Sequence, residues 1–202
     1  MARSADPQVR RRLVAAAARL FAEKGYENAS VSEVVAAAGV TKGSMYHYFQ
    51  AKDDLLYEIY HRVLALQSDR LERLAGGPGT PVDRLRAVAV DVVVTTVEHL
   101  EDMTVFVRSM HLLGPQRWET VRQERHRYHR RFRALVEEGQ AAGLLRTDVS
   151  ADLAVRFFFG GVHHLLTWYR PDGSMDGAQL GNVFAQLFLD GLTRTVTIPT
   201  GR

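Results

Sequence analysis

The sequence predicts an all-α protein, with a small N-terminal group of three helices followed by a larger helical domain. Three observations carry that expectation. Apolar residues recur at steps of three and four along most of the 202 residues, with no period-two stretch of the kind a half-buried strand needs. Capping residues, glycines and prolines punctuate the chain at spacings that fit helices. The balance of 46% hydrophobic and 24% charged residues is that of a chain able to build a packed core.

Asp6 is placed to cap a first helix with Pro7 at its first position, and Val9, Leu13, Ala17, Leu20 and Phe21 share one face until Gly25 ends it. Ser30 and Glu33 have the spacing of a capping box, which opens a short helix through Ala38 that stops at Gly39. Thr41 caps another short helix ending near Phe49, and a longer one begins around Lys52 and runs to about Leu74. Three glycines and two prolines in Gly76-Gly-Pro-Gly-Thr-Pro81 cannot continue a helix and mark a linker. Further helices are expected at roughly 81–99, 103–113, 116–142, 151–169 and 177–195. Gly114-Pro115, then Gly143 with Asp148 and Ser150, then Arg170-Pro171-Asp172-Gly173 separate the later ones.

Composition removes several classes of function. Without cysteine there is no disulfide, thiolate nucleophile or cysteine-ligated zinc. The early apolar stretch is broken by Arg19 and runs on into Glu23 and Lys24, a helical pattern rather than a signal peptide, and no window is apolar enough to span a bilayer. A cytoplasmic protein with no membrane partner is expected. His126 and His129 stand three apart, and the neighbours His163 and His164 point to different faces, but no His-Glu-x-x-His or comparable ligand set accompanies them. No serine lies in a nucleophile elbow. The sequence therefore gives no reason to expect an enzyme, a metal site or a cofactor.

Charge is unevenly placed. Residues 1–52 carry eight Lys/Arg against four Asp/Glu, while the remainder is close to neutral, which suits a phosphate-backbone partner at the N-terminus. Two short helices joined through Gly39-Val40 have the pattern of a helix-turn-helix. Val34, Val35, Ala38, Val40, Met45 and Phe49 form an apolar set able to lock the pair against Leu20 and Phe21. Lys42, Ser44, Tyr46, His47 and Tyr48 are left as polar and aromatic positions suited to phosphates and base edges. Residues 1–52 are read as the DNA-binding domain and 53–202 as a ligand-binding and dimerisation domain.

The run Val31-Ser-Glu-Val-Val-Ala-Ala-Ala-Gly-Val-Thr-Lys-Gly-Ser-Met-Tyr-His-Tyr-Phe-Gln-Ala-Lys52, followed by two aspartates and two leucines, resembles the signature of the tetracycline-repressor (TetR) family. The resemblance covers roughly residues 8–56. It implies that Thr41, Lys42 and Ser44 lie near bases or phosphates, that Tyr46 and Tyr48 touch the DNA backbone, and that Lys52 binds phosphate. His47 is a further base contact, Gly43 permits close approach to the groove, and Ser32 joins the DNA-facing set. Read on the residues alone, Tyr46 and Tyr48 are equally core aromatics and Lys52 a solvated charge.

A single helix-turn-helix makes few base contacts, so a homodimer on double-stranded operator DNA, with half-sites about 34 Å apart or a multiple of that, is expected. Leu153 to Tyr169 is apolar nearly all round, and Leu180, Val183, Phe184, Leu187, Phe188 and Leu192 recur in the last helix. These two helices are assigned to a symmetric four-helix interface, with a buried intrachain pair as the other reading. The helix over 116–142 carries the stripe Trp118, Val121, Arg125, Tyr128, Phe132 and Leu135, and residues 117–133 hold seven arginines against two glutamates. Arg125 interrupts that stripe. A buried guanidinium needs a partner, so three readings stand: a bridge to Asp91 or Glu98, a solvated stripe, or a ligand contact.

A second resemblance covers residues 137–192, through Glu137-Glu-Gly-Gln-Ala-Ala-Gly-Leu-Leu-Arg-Thr-Asp148 and Trp168-Tyr-Arg-Pro-Asp-Gly173, and is to the acyl-CoA and steroid-CoA responsive members of the family. It implies a small hydrophobic inducer, an acyl-CoA, met by apolar walls and arginines. The candidate ligand set is Phe106, Met110, Trp118, Arg122, Arg125, Tyr128, His129, Phe158 and Trp168, with plain core packing as the competing reading for each aromatic. The function this implies is a repressor released from a palindromic operator when ligand shifts the dimer population. The alternative is a regulator of the same fold that has no small-molecule inducer or that activates transcription.

Overall fold

Several of the helices begin where a side chain satisfies their first free amide groups. In the computed structural model, which describes residues 6–193, the Asp6 carboxylate accepts from the Gln8 amide at 2.9 Å and opens α1 (Pro7–Lys24). Ser30 and Glu33 form both halves of the capping box at the start of α2 (Val31–Ala37). Lys24 first, then Ser30, holds the Glu33 carboxyl down to about 2. The Thr41 hydroxyl accepts from the Ser44 amide at 3.1 Å and opens α3 (Lys42–Tyr48).

The order continues with α4 (Lys52–Ala75), α5 (Pro81–Glu98), α6 (Leu100–Ser109), a 3-10 turn (Met110–Leu112), α7 (Pro115–Ala141), α8 (Ala151–Trp168) and α9 (Gly177–Thr193). No strand occurs among the described residues. The all-α expectation therefore holds. Helix 6 begins earlier than expected, at Leu100, because His99 breaks the regular conformation (φ −116°, ψ 40°) and Glu101 and Asp102 favour the first turn of a new helix. The last two residues of the expected helix over 177–195 lie outside the described residues.

Contacts divide the chain into two compact units, one made of residues up to 66 with 99–124, the other of 67–98 with 125 onward. These units cut the chain at other places than residue 52.

In the first unit, α1, α2 and α3 enclose a core of Leu13, Ala17, Phe21, Val34, Met45 and Phe49, none more than 4% exposed. Gly39 joins α2 to α3 with φ +62°, a conformation that would strain any other residue. Val40 is only half-buried, so the expected apolar set holds without it. Arg62 of α4 grips the buried Asp102 of α6, from Nε at 3.1 Å and Nη2 at 2.6 Å, while Tyr60 and Phe106 stack at 4.2 Å.

In the second unit α5 lies along α9. The two helices approach closely at Gly181, where a Cβ would stand 3.0 Å from the Val90 carbonyl oxygen, so a side chain there would force the helices apart. Phe132, Phe158, Phe159 and Phe188 of α7, α8 and α9 stack into an aromatic core. The stretch from Glu137 to Asp148 closes the end of this unit. Leu145 packs where a Cβ on Gly139 would be, at 2.6 Å, and the Gln140 amide donates to the Arg146 and Val149 carbonyls at 2.8 and 2.9 Å. These contacts give that stretch a structural use irrespective of any ligand.

Candidate nucleic-acid interface

Two opposed faces of α3 have different occupations. Met45 is fully buried and Phe49, just past the helix, is 4% exposed, which fixes α3 against α1 and α2. On the other side Lys42, Gly43, Tyr46 and His47 are exposed, with Tyr46 at 48%. An exposed tyrosine beside an exposed lysine that makes no ion pair among the described residues is poor economy for a fold and good chemistry for a polyanion. Thr41 is exposed but its hydroxyl is taken as the cap, and Ser44 is half-buried behind it. Ser32 is exposed on the first turn of α2.

Two expected contacts are engaged by the chain itself. The Tyr48 hydroxyl donates to the Asp6 carbonyl at 3.1 Å, tying the end of α3 to the start of α1. Lys52 was expected to bind phosphate, but its ammonium donates to the carbonyls of Tyr26, Ala29 and Glu27 at 2.8, 3.1 and 3.4 Å and lies 4.2 Å over the Tyr26 ring. In this conformation Lys52 closes the loop between α1 and α2. The same corner holds the Tyr26 hydroxyl against Asp53, and burial followed by Asp53 pushes that phenol well above its ordinary range. Asp54 caps α4 by accepting from the Gln50 and Ala51 amides at 2.7 and 3.2 Å and also pairs with Arg117. The Asp54 cap is local, but nothing in the sequence announces the ties of Tyr48, Lys52, Tyr26 and Arg117, because each joins residues that are far apart along the chain.

The candidate ligand residues do not form one group. In the first unit Phe106 is buried against Tyr60, Met110 and Trp118 are half-buried, and Arg122 is exposed in a two-pronged pair with Glu119 at 2.9 and 3.0 Å. Arg122 thus belongs to the solvated arginine face. In the second unit Tyr128 and Phe158 are buried in the aromatic core, His129 stacks on Phe159 at 4.3 Å, and Trp168 is 46% exposed at the end of α8. Arg125 is half-buried. The carboxylates expected to meet it, Asp91 and Glu98, are both engaged by Arg70, at 3.2 and 3.7 Å.

Burial first, then the Arg125 guanidinium, pushes His129 and His163 down to about 4, so both are neutral in the folded protein at pH 7. The unfolded chain protonates them near the usual 6.5. Folding stability is therefore expected to be complete above about pH 6.5 and to fall as the pH drops towards 4, with no further loss from these groups below that. Urea midpoints between pH 7 and 4.5 would measure it, and His129→Phe should flatten the slope. An equal slope in both proteins would place the titrating groups elsewhere.

On α8 and α9 an apolar face has no partner among the described residues. Phe157 is 76%, Leu187 69%, Leu153 59% and Val183 44% exposed. No helix of the described residues is long and apolar enough to cross a membrane.

A three-helix group with an exposed polar face on its third helix, in a chain that also carries an apolar helical face left exposed among the described residues, defines a helix-turn-helix regulator that binds DNA. The chain matches the bacterial regulatory proteins of the tetR family over residues 13–59 and the tetracyclin repressor-like C-terminal domain over residues 78–192. It belongs to the TetR family of transcriptional regulators. The transcriptional repressor KstR2 of Rhodococcus jostii is 29% identical over 91% of this chain and 90% of its own length. The TetR-family regulator PfmR of Thermus thermophilus superposes with a TM-score of 0.83 at 29% identity, over 91% of this chain and all of that one. AibR, solved in complex with isovaleryl coenzyme A and operator DNA, superposes with a TM-score of 0.78 at 25% identity, over 92% of this chain and 98% of its own.

Proposed function

We propose that this chain is a ligand-responsive transcriptional repressor that binds a palindromic operator as a homodimer in the cytoplasm and is released by a hydrophobic small molecule of the acyl-CoA class. The observation that carries the reading is the α3 face, where Lys42, Tyr46 and His47 are exposed over a fully buried Met45. The apolar face of α8 and α9 supports the dimer, since large apolar side chains exposed to this degree favour burial against a second copy. The similarity to AibR with its coenzyme A thioester supports the ligand class.

In this reading Lys42 and His47 contact base edges. Thr41, Ser44 and Ser32 lie towards the phosphates, Gly43 admits the backbone to the groove, and Tyr46 packs on the sugar-phosphate chain. Tyr48 and Lys52 act as positioning residues that hold α3 and the α1–α2 loop. Of the ligand candidates, Arg125 and His129 with Tyr128, Phe158 and Trp168 are kept as one group, and Phe106, Met110 and Trp118 as another.

Gel shifts with a panel of operator variants test the DNA assignments. Lys42→Ala and His47→Ala are expected to change sequence preference, each weakening the preferred site by roughly tenfold, whereas Tyr46→Ala weakens all sites alike. Identical preference profiles for all three variants would remove Lys42 and His47 as readers. Addition of acyl-CoAs from butanoyl to hexadecanoyl to the protein–operator complex tests the inducer class. No release at any chain length would favour a regulator that works without such a ligand.

A further inference from the structure

Helix α7 opens with a cation where its dipole favours an anion. The first turn holds no acidic residue and carries Arg117, although the positive end of a helix disfavours that charge. The side chain is held from α4 instead. Its Nη2 donates to Asp54 Oδ1 and its guanidinium lies 4.8 Å over the Tyr57 ring, so a carboxylate and an aromatic face of one helix enclose it. Seven residues further along both helices, about two turns, a second tie runs the same way. The Tyr57 and His61 rings stack at 5.4 Å, and His61 Nδ1 stands 3.3 Å from a Glu124 carboxylate oxygen.

Asp54 has a separate use for each oxygen. Oδ2 accepts from the Gln50 and Ala51 amides at 2.7 and 3.2 Å, and Oδ1 takes Arg117. Gln50 and Ala51 join α3 to α4 and follow directly on Phe49, which is buried at the end of α3. One carboxylate therefore connects the first turn of α7 to the backbone that leaves α3. The Arg117 and Asp54 side chains are 40 and 18% exposed, and an ion pair open to water to that extent contributes little to folding stability. What it supplies is direction, because a charged pair anchored to two amides on one side and a ring on the other holds a narrow range of geometries.

We infer that Arg117 is a positioning residue for DNA reading: through Asp54 it fixes the α3–α4 junction and so presents α3 in the orientation that enters the groove. The inference rests on the assignment of α3 as the reading helix above. A helix held beforehand in its bound orientation loses less freedom on binding, so the tie adds affinity for the cognate site without touching DNA. Without Arg117, Asp54 still caps α4, but the junction loses its tie to α7.

The test uses the full-length protein and duplexes that the wild type selects from a randomised pool, with an unrelated duplex as the non-specific control. Arg117→Met removes a positive charge and Asp54→Asn a negative one, while the asparagine oxygen still accepts from the Gln50 and Ala51 amides. Charge alone would make the first variant bind a polyanion more weakly and the second more tightly. The positioning role gives one sign for both. Each is expected to lower affinity for the selected duplex about fivefold or more, with affinity for the unrelated duplex and the salt dependence unchanged and Tm within about 4 °C of the wild type. The double variant is expected to be no weaker than either single one, because the two side chains act as one device. Tighter or unchanged binding of the selected duplex by Asp54→Asn, a salt slope lowered by about one in Arg117→Met, losses that multiply in the double variant, or a larger fall in Tm in either variant would overturn the inference. A wild type that selects no duplex removes the reading assignment of α3 itself, whereas selection by the wild type with unaltered binding by both variants removes only the role of Arg117.

Discussion

Replacing Arg62 by Met is expected to destabilise the first unit by about 3 kcal/mol, because it strands a carboxylate in the interior. Asp102 is only 3% exposed and accepts from Arg62 at both Nε and Nη2, with His99 Nδ1 at 3.6 Å as its other neighbour. Such a pair is worth little compared with well-packed apolar residues, but half of it is worse than none. The double variant Arg62→Met with Asp102→Leu should therefore recover most of the loss. For a chain of this length the single variant would lower Tm by roughly 6 to 12 °C. Thermal melts of the two variants and the wild type check this, and a double variant no more stable than the single one would show that the pair is not what holds α4 to α6.

Charging the apolar face of α8 and α9 is expected to leave a folded monomer. Phe157→Glu with Leu187→Glu alters side chains that are 76 and 69% exposed, so the chain's own core is untouched and the circular dichroism should not change. In a symmetric dimer each of these side chains is buried twice, and each contributes about 2 kcal/mol when removed from water. The dimer dissociation constant should rise by about a thousandfold or more, and operator affinity should fall with it because each copy reads only half a site. Sedimentation equilibrium and gel shifts on the same preparation measure both effects. A variant that still sediments as a dimer would move the interface off these helices.

Much of the N-terminal architecture was legible in the sequence because its causes are local. Capping residues, a glycine with φ +62° and an apolar set at helical spacing act within a few residues of one another, and Ser30, Glu33, Gly39, Thr41 and Met45 all sit where those rules put them. The exposed face of α3 followed from the same periodicity. Lys52 and Tyr48 were not legible in this way. Each is a polar residue on a short or newly begun helix, and only the fold brings the Tyr26, Glu27 and Ala29 carbonyls to one and the Asp6 carbonyl to the other. Arg125 interrupts the apolar stripe of its helix, and Gln67, 6% exposed, interrupts that of α4 in the same way, a pattern legible in the sequence.

The sequence by itself determined the all-α class, the helix boundaries to within a few residues and the reading helix, since propensity, capping and hydrophobic period are properties of neighbouring residues. The tertiary structure alone decided which charges are engaged. Arg70 takes both Asp91 and Glu98, and Arg62 goes inside to Asp102. The physical reason is that the partner of an ion or of a buried amide is set by which helices meet, at separations of tens of residues that no local pattern encodes.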